Sequence, residues 1–264
     1  MPMKRKEEIS NRIKIGIFGF GKTGRIVADE FFKEDHFRLE WVVRRTHKDH
    51  HKYATRLLGH EVDGAPIYSV DEVSPSFFQK NPVDIIVDFA SARAHEHYMP
   101  AADCGIRIIS AISKYKEKDL DDLKKLADKT AVLYSPNITL GVNFLLVASQ
   151  ILQKIAPHAD IEIVEEHFRG KKEVSGTAFK IAETLGLDKD KHVNSIRVGG
   201  IVGRHEIIFG LPNQTIRLVH ESINRAAFGQ GAIFAARWLV DAPAGMYSME
   251  NIIADMFKRN IPVY

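Results

Sequence analysis

The sequence predicts an α/β protein in two parts: a parallel sheet wrapped by helices, then an α+β domain built on a mixed, mainly antiparallel sheet. Three observations lead there. Apolar, β-branched runs alternate with helical periodicity through the first half. A glycine-rich turn joins the first run to the first helix, and beyond Pro136 strand-like runs follow one another with only Gly and Pro-Asn between them.

Ile13 to Phe18 is apolar and β-branched, and Arg25 to Phe32 carries Ile26, Val27 and Phe31 at helical spacing. Leu39 to Val43, Val83 to Phe89, Ile106 to Ile109 and Ala131 to Tyr134 read as further strands, with helices at Ala92 to Cys104 and Glu117 to Asp128. Strands this continuously apolar are covered on both faces, as parallel strands are. In the second part, helices are expected at Val142 to Ile155 and Thr177 to Leu185. Strands are expected at Ile161 to Phe168, Ser195 to Val198, Ile201 to Phe209 and Gln214 to Ser222. A last helix covers Arg225 to Leu239, and its pattern alone does not say which part it packs on.

Of 264 residues, 45% are hydrophobic and 27% charged, which supplies a core and excludes a disordered polymer. The net charge is only +3 and Lys4-Arg5-Lys6 is the one contiguous basic block, so no nucleic-acid partner is expected. No run reaches the ~18 apolar residues of a membrane span, and Met1 to Arg12 is charged rather than a signal core. A single cysteine, Cys104, forms no internal disulfide and reads as a buried, inert helix-end residue. Together these features suit a cytoplasmic protein.

Gly19-Phe20-Gly21-Lys22-Thr23-Gly24 fits G-x-G-x-x-G between a strand and a helix, where backbone N–H groups and the helix N-terminus bind a pyrophosphate. This is the start of a Rossmann-type nucleotide domain. The next strand ends Val43-Arg44-Arg45 rather than in the acidic residue that grips a free ribose 2′-hydroxyl. Two guanidinium groups suit a 2′-phosphate, so NADPH is favoured, with NADH possible.

A second signal runs from Glu165 to Ala178. His167 at a strand end, Lys171 four residues on, and Ser175-Gly176-Thr177 opening a helix combine a proton donor, a cation and a carboxylate cradle. The alternative is structural: a hydrogen-bonded histidine, a solvated lysine turn, and Ser175 as an N-cap. Elsewhere, His47, His50, His51 and His60 lie in a polar stretch without regular ligand spacing and read as solvated, so no metal is expected. His95 and His97, two residues apart, do not share a helical face. His205 and His220 read as strand residues with structural partners.

In their order along the chain, several motifs resemble those of dihydrodipicolinate reductases. They are the glycine start, the Asp88-Phe89 strand end, Pro136-Asn137-Ile138-Thr139-Leu140-Gly141-Val142-Asn143, the Glu-x-His…Lys…Ser-Gly-Thr-Ala run, Arg197-x-Gly199-x-x-x-Gly203-x-His205, and His220…Arg225-x-x-Phe228-x-x-Gly231-Ala232. The resemblance spans nearly the whole chain. It implies NAD(P)H-dependent reduction of a cyclic dicarboxylate in lysine and diaminopimelate biosynthesis, and a homotetramer. By position it makes His167 the general acid/base and Lys171 the catalytic lysine. Ser175, Gly176 and Thr177 become the carboxylate site, and Asp88, Phe89, Ser110, Ala111 and Asn137 cofactor contacts. It also implies a nucleotide domain over 1–138 completed by 222–264, and a substrate-binding and oligomerisation domain over 139–221.

Three departures bear on the pocket. The family's second histidine is Phe168; the segment before Ser175 is one residue shorter and reads Lys172-Glu173-Val174; and the family's Gly-Thr-Thr-Gly loop is Ser110-Ala111-Ile112-Ser113. They leave open a paralog acting on another cyclic imino acid, or a non-catalytic NADP(H)-binding regulator.

Overall fold

The computed structural model describes residues 12–262, so the Lys4-Arg5-Lys6 block lies outside the described residues. Two compact units are present. One comprises residues up to Ile138 with Phe228–Met249, the other Thr139–Ala227 with the residues from Glu250 onward.

The first unit is a seven-stranded, all-parallel sheet of β1 (Ile13–Phe18), β2 (Phe37–Arg44), β3 (Ile67–Ser69), β4 (Ile85–Asp88), β5 (Arg107–Ser110), β6 (Ala131–Tyr134) and β11 (Gly245–Tyr247). The spatial order is β11-β6-β5-β4-β1-β2-β3, so the winding reverses between β1 and β4. In open α/β sheets a crevice forms at that reversal, beyond the carboxyl ends of the strands. The central strands are buried throughout: Ile15, Ile17, Ile85, Ile86, Val87, Ile108 and Ile109 are closed to solvent. Gly16 in β1 is the space into which the Trp41 indole packs, edge-on to Phe18 and Phe77.

Helix α1 (Lys22–Lys33) begins three residues earlier than its apolar spacing indicates, so Lys22, Thr23 and Gly24 of the glycine motif form its first turn. The helix expected over 92–104 is instead one α-turn, His95–Tyr98, followed by a 3₁₀ segment, Met99–Cys104. Pro100 has no N–H to extend the α ladder, and Gly105 closes the segment in the left-handed region at φ 71°. Cys104, at the end of this segment, is exposed, contrary to its apolar surroundings in sequence. Helix α2 (Glu117–Ala127) precedes β6.

The second unit carries β7 (Asp160–His167), β8 (Val193–Arg197), β9 (Arg204–Leu211) and β10 (Gln214–Glu221) in the order β10-β9-β7-β8. β7 pairs antiparallel with β9 and parallel with β8, and β9 antiparallel with β10. One face packs Ile161, Ile163, Ile207 and Phe209 against Leu145 and Leu146 of α3 (Leu140–Ile155) and Ile181 of α4 (Gly176–Thr184). The other carries an Arg204, Arg217, Glu166 and Glu206 ion-pair network.

The C-terminal region divides more finely than its sequence suggests. Helix α5 (Ala226–Leu239) and β11 belong mainly to the first unit, because β11 pairs with β6. Most of α6 (Met249–Asn260) groups with the second, where Phe257 lies 5.0 Å from the Phe144 ring of α3.

Candidate active site

In the first unit, the loops after β1, β2, β4 and β5 converge on the carboxyl edge of the sheet. The chain leaves β1 through Gly19 at φ +99°, a conformation that favours glycine, with Phe89 and Ala90 backbone atoms 2.7 Å from where a Cβ would sit. A Cβ on Gly24 would collide with the Gly19 carbonyl oxygen, so this glycine permits the close approach of helix and turn. A Cβ at Gly21 would meet nothing. The α1 amides of Lys22, Thr23 and Gly24 precede the helix's first internal bond, Arg25 N–H to the Gly21 carbonyl, and point along a dipole that favours an anion.

Two adjoining clefts flank this turn. One, of about 490 Å³, is lined by Thr23, Phe89, Ala111, Lys114, Pro136 and Phe228 among others. The second, of about 590 Å³, is lined by Arg44, Arg45, Asp71, Arg93 and His97 among others. Arg44 is partly buried and donates to Asp49 at 2.8 Å, whereas Arg45 is exposed and has no hydrogen bond or ion pair among the described residues.

Behind the first cleft lies a buried polar cluster. The Asp88 carboxylate accepts from the Ala90 N–H at 2.8 Å and from the Tyr98 hydroxyl at 3.0 Å, and Tyr115 bonds Ser110 at 2.8 Å. Burial outweighs these bonds and pushes the Asp88 carboxyl up to about 7.

In the second unit the site is built from side chains on one face of the sheet. His167, at the end of β7, is 9% exposed, and its Nδ1 lies 2.5 Å from the Glu165 carboxylate. Glu165 is fully buried and collects four further bonds: Arg197 Nη1 at 2.9 Å and Nη2 at 2.5 Å, the Ser195 hydroxyl at 2.6 Å and the Ser175 N–H at 3.2 Å. Burial alone raises the Glu165 carboxyl, but the donors Arg197, Ser195, His167 and Ser175 carry it down to about 2.

Arg197 also donates to the carbonyls of Lys171 at 3.1 Å and Glu173 at 3.0 Å, so one guanidinium ties the lysine turn to the carboxylate behind His167. The Ser175 hydroxyl does not cap α4. It bonds His205 Nε2 at 2.8 Å, and α4 opens with Gly176 and Thr177 at the positive end of the helix dipole. Burial, reinforced by repulsion from His167, lowers the His205 imidazole to about 3. Gly203 is the space beside His167: a Cβ there would lie 3.0 Å from Nε2.

Residues 13–138 match the family described as dihydrodipicolinate reductase, N-terminus, and residues 141–253 that described as dihydrodipicolinate reductase, C-terminus. The chain belongs to the dihydrodipicolinate reductase family. The 4-hydroxy-tetrahydrodipicolinate reductase of Archaeoglobus fulgidus is 31% identical over 258 residues, covering 88% of this chain and 96% of that protein. Its counterpart from Syntrophus aciditrophicus is 31% identical over 260 residues, covering 89% and 96%. In fold the chain is similar to the dipicolinate-bound dihydrodipicolinate reductase of Paenisporosarcina sp. TG-14, with a TM-score of 0.75 at 21% identity over 91% of this chain and 99% of that one. This family member is an NAD(P)H-dependent oxidoreductase. Among its described residues, no helix is long and apolar enough to cross a membrane.

Of the residues singled out by sequence, Thr23, Arg44, Arg45, Phe89 and Ala111 line the clefts. Asp88 and Ser110 do not: both side chains are closed to solvent and turn into the Tyr98–Tyr115 cluster. The Phe20 side chain is likewise buried beneath the Arg25 guanidinium, and Asn137 sits between the lining residues Pro136 and Ile138. Phe168 is 40% exposed. His60 is paired with Asp29 and stacked on Phe32 rather than solvated, and His95 is buried between the Ala92 carbonyl and Asp122. Missed as site residues were Glu165, Ser195, Arg197 and His205. The signal available for three of them was alternation along β7 and β8, which puts Glu165, Ser195 and Arg197 on the His167 face.

Proposed function

We propose that this family member reduces 4-hydroxy-tetrahydrodipicolinate to tetrahydrodipicolinate with NADPH, in cytoplasmic lysine and diaminopimelate biosynthesis. The observation that carries the reading is the Glu165–His167 pair, held by Arg197 beside the Lys171 turn and the N-terminus of α4. Such a pair fixes which imidazole nitrogen exchanges protons: the Glu165 carboxylate holds Nδ1–H and leaves Nε2 for substrate.

The reaction removes the ring hydroxyl as water and adds one hydride and one proton to the conjugated ring. Bound NADPH supplies the hydride. His167 delivers the proton from Nε2 to the carbon that gains electron density, while the Lys171 ammonium and the Gly176 and Thr177 amides hold carboxylate oxygens and offset the developing charge. On the cofactor side, the Gly19–Gly24 turn and the first α1 amides suit a pyrophosphate, and Arg45 with Arg44 suits the 2′-phosphate. Assembly as a homotetramer accords with the four-stranded sheet's outer face, where Ile196 and Val219 are 44% and 49% exposed beside the Arg–Glu network.

Phe168 favours a second reading, reduction of a different cyclic imino acid, because its ring offers no hydrogen bond to a carboxylate. NADPH oxidation with freshly generated hydroxy-tetrahydrodipicolinate tests both. The expected result is turnover that falls at least about a hundredfold in His167→Gln with NADPH affinity unchanged. Binding of NADPH without turnover would reject this substrate and direct a screen to other cyclic imino acids. Arg45→Ala should narrow the preference for NADPH over NADH by about tenfold, the worth of one charge-assisted contact; an unchanged ratio would place the 2′-phosphate elsewhere.

A further inference from the structure

The loops that follow β2 and β3 gather a cluster outside this machinery. His50, His51 and Glu72 each offer one ligand atom, all three within 4.8 Å of one another. His50 Nε2 is hydrogen-bonded to the Glu72 carboxylate, and the His50 and His51 rings lie 3.6 Å apart between centroids. Successive side chains of an extended segment point to opposite sides. Here Asp49 and His51 both adopt left-handed backbone, at φ 60° and 59°, and the turn brings consecutive imidazoles to one side. Non-glycine residues held in this region mark positions that the surroundings over-determine.

The backbone around the cluster is anchored. The His51 N–H donates to the Ile67 carbonyl at 3.1 Å, the Ile67 N–H to the Lys52 carbonyl at 2.9 Å, and the Ser69 N–H to the Glu72 carboxylate at 2.7 Å. The loop carrying two imidazoles and the turn carrying the carboxylate are therefore fixed to the same strand. We propose that His50, His51 and Glu72 bind a divalent transition-metal ion, zinc foremost, at the rim of the nucleotide unit. Two imidazole nitrogens and one carboxylate oxygen form a borderline donor set suited to zinc, with a water in the fourth position. Metal–ligand bonds of about 2.0–2.2 Å require only small side-chain rotations from the observed separations. His47 lies alongside, 5.6 Å from the His50 ring and paired with Asp71 at 3.2 Å.

The site also touches the nucleotide cleft by two routes. Asp49, next to His50, holds Arg44, and Asp71, next to Glu72, lines the same cleft as Arg44 and Arg45. A metal that restrains both segments changes the surroundings of the 2′-phosphate, and reciprocity requires NADPH to change metal affinity by the same factor. This coupling rests on the NADPH reading; the metal site does not.

Untagged protein titrated with Co²⁺, then Zn²⁺, tests the site by visible absorption and calorimetry. The expected result is one equivalent giving a tetrahedral cobalt spectrum that zinc displaces. His51→Asn, an exposed substitution that keeps a residue tolerant of positive φ, should weaken zinc binding more than about tenfold. His50→Gln should do the same, while His158→Gln, outside the cluster, should leave it unchanged. Absence of the spectrum, or equal affinity in His51→Asn and the parent, overturns the proposal. Adding NADPH then reads the coupling separately: unchanged zinc affinity removes the link to the nucleotide but not the metal site.

Discussion

Under the proposed function, the first unit makes its anion site from backbone, and the second makes its proton-transfer site from side chains. Around Gly19–Gly24 the determining features are a positive φ, a forbidden Cβ and helix amides, all contributed by one short stretch of chain. Around His167 they are a buried carboxylate, a guanidinium and two hydroxyls drawn from β7, β8 and the turn before α4. A backbone site is rigid because few conformations satisfy it, whereas a side-chain site is rigid only while every partner is present. The two should therefore fail differently.

The largest effect is expected at Glu165. Glu165→Gln leaves Arg197 without its counter-charge, and breaking a buried ion pair costs about 3–5 kcal/mol. Stability should fall by that order in denaturant melts, and kcat should drop at least about tenfold as His167 loses its anchor. Glu165→Asp should recover part of kcat, which a purely structural role would not predict. The sign of the pH dependence follows from the depressed carboxyl. With a folded value of about 2 against an ordinary 4.5, the parent gains stability from this group above pH 4.5 and loses it as pH falls toward 2, by about 3 kcal/mol. Parent and variant melts that run parallel across that window would remove the carboxylate from the account.

Asp88 tests the opposite sign. Its carboxyl stands at about 7 against an ordinary 3.8, so the folded chain holds a proton that the unfolded chain has released, and stability declines as pH rises from about 4 to 7. Asp88→Asn keeps an acceptor for the Ala90 amide and should abolish that decline. Relative to the parent, the variant should gain up to about 4 kcal/mol across the window, read from thermal melts at stepped pH. A constant difference between the two would show that Asp88 is charged throughout.

Gly24→Ala sharpens the contrast at the smallest structural scale, one methyl group. The added Cβ must displace the Gly19 carbonyl, so NADPH affinity should fall by about tenfold or more while unfolding of the second unit, followed by limited proteolysis, is unchanged. Intact NADPH affinity would show that the turn yields without consequence for the nucleotide.

The parallel sheet, the glycine turn and the mixed second sheet were legible in the sequence because each depends on residues close together in the chain: strand apolarity, a glycine spacing, a run of alternating residues. That one turn carries both His167 and Lys171 was legible for a related reason, since they lie four residues apart. The sequence did not show that Asp88 and Ser110 face inward, that Ser175 serves His205 rather than its own helix, or that His50 meets Glu72. Each of these depends on a partner five or more residues away, or on which side of a loop faces the cleft. What the sequence determined by itself is the local backbone, through periodicity and glycine placement. Only the tertiary structure decided the side-chain partnerships, because burial makes an unpaired charge or hydroxyl costly and so selects, among many sequence-compatible pairings, those that satisfy every buried group at once.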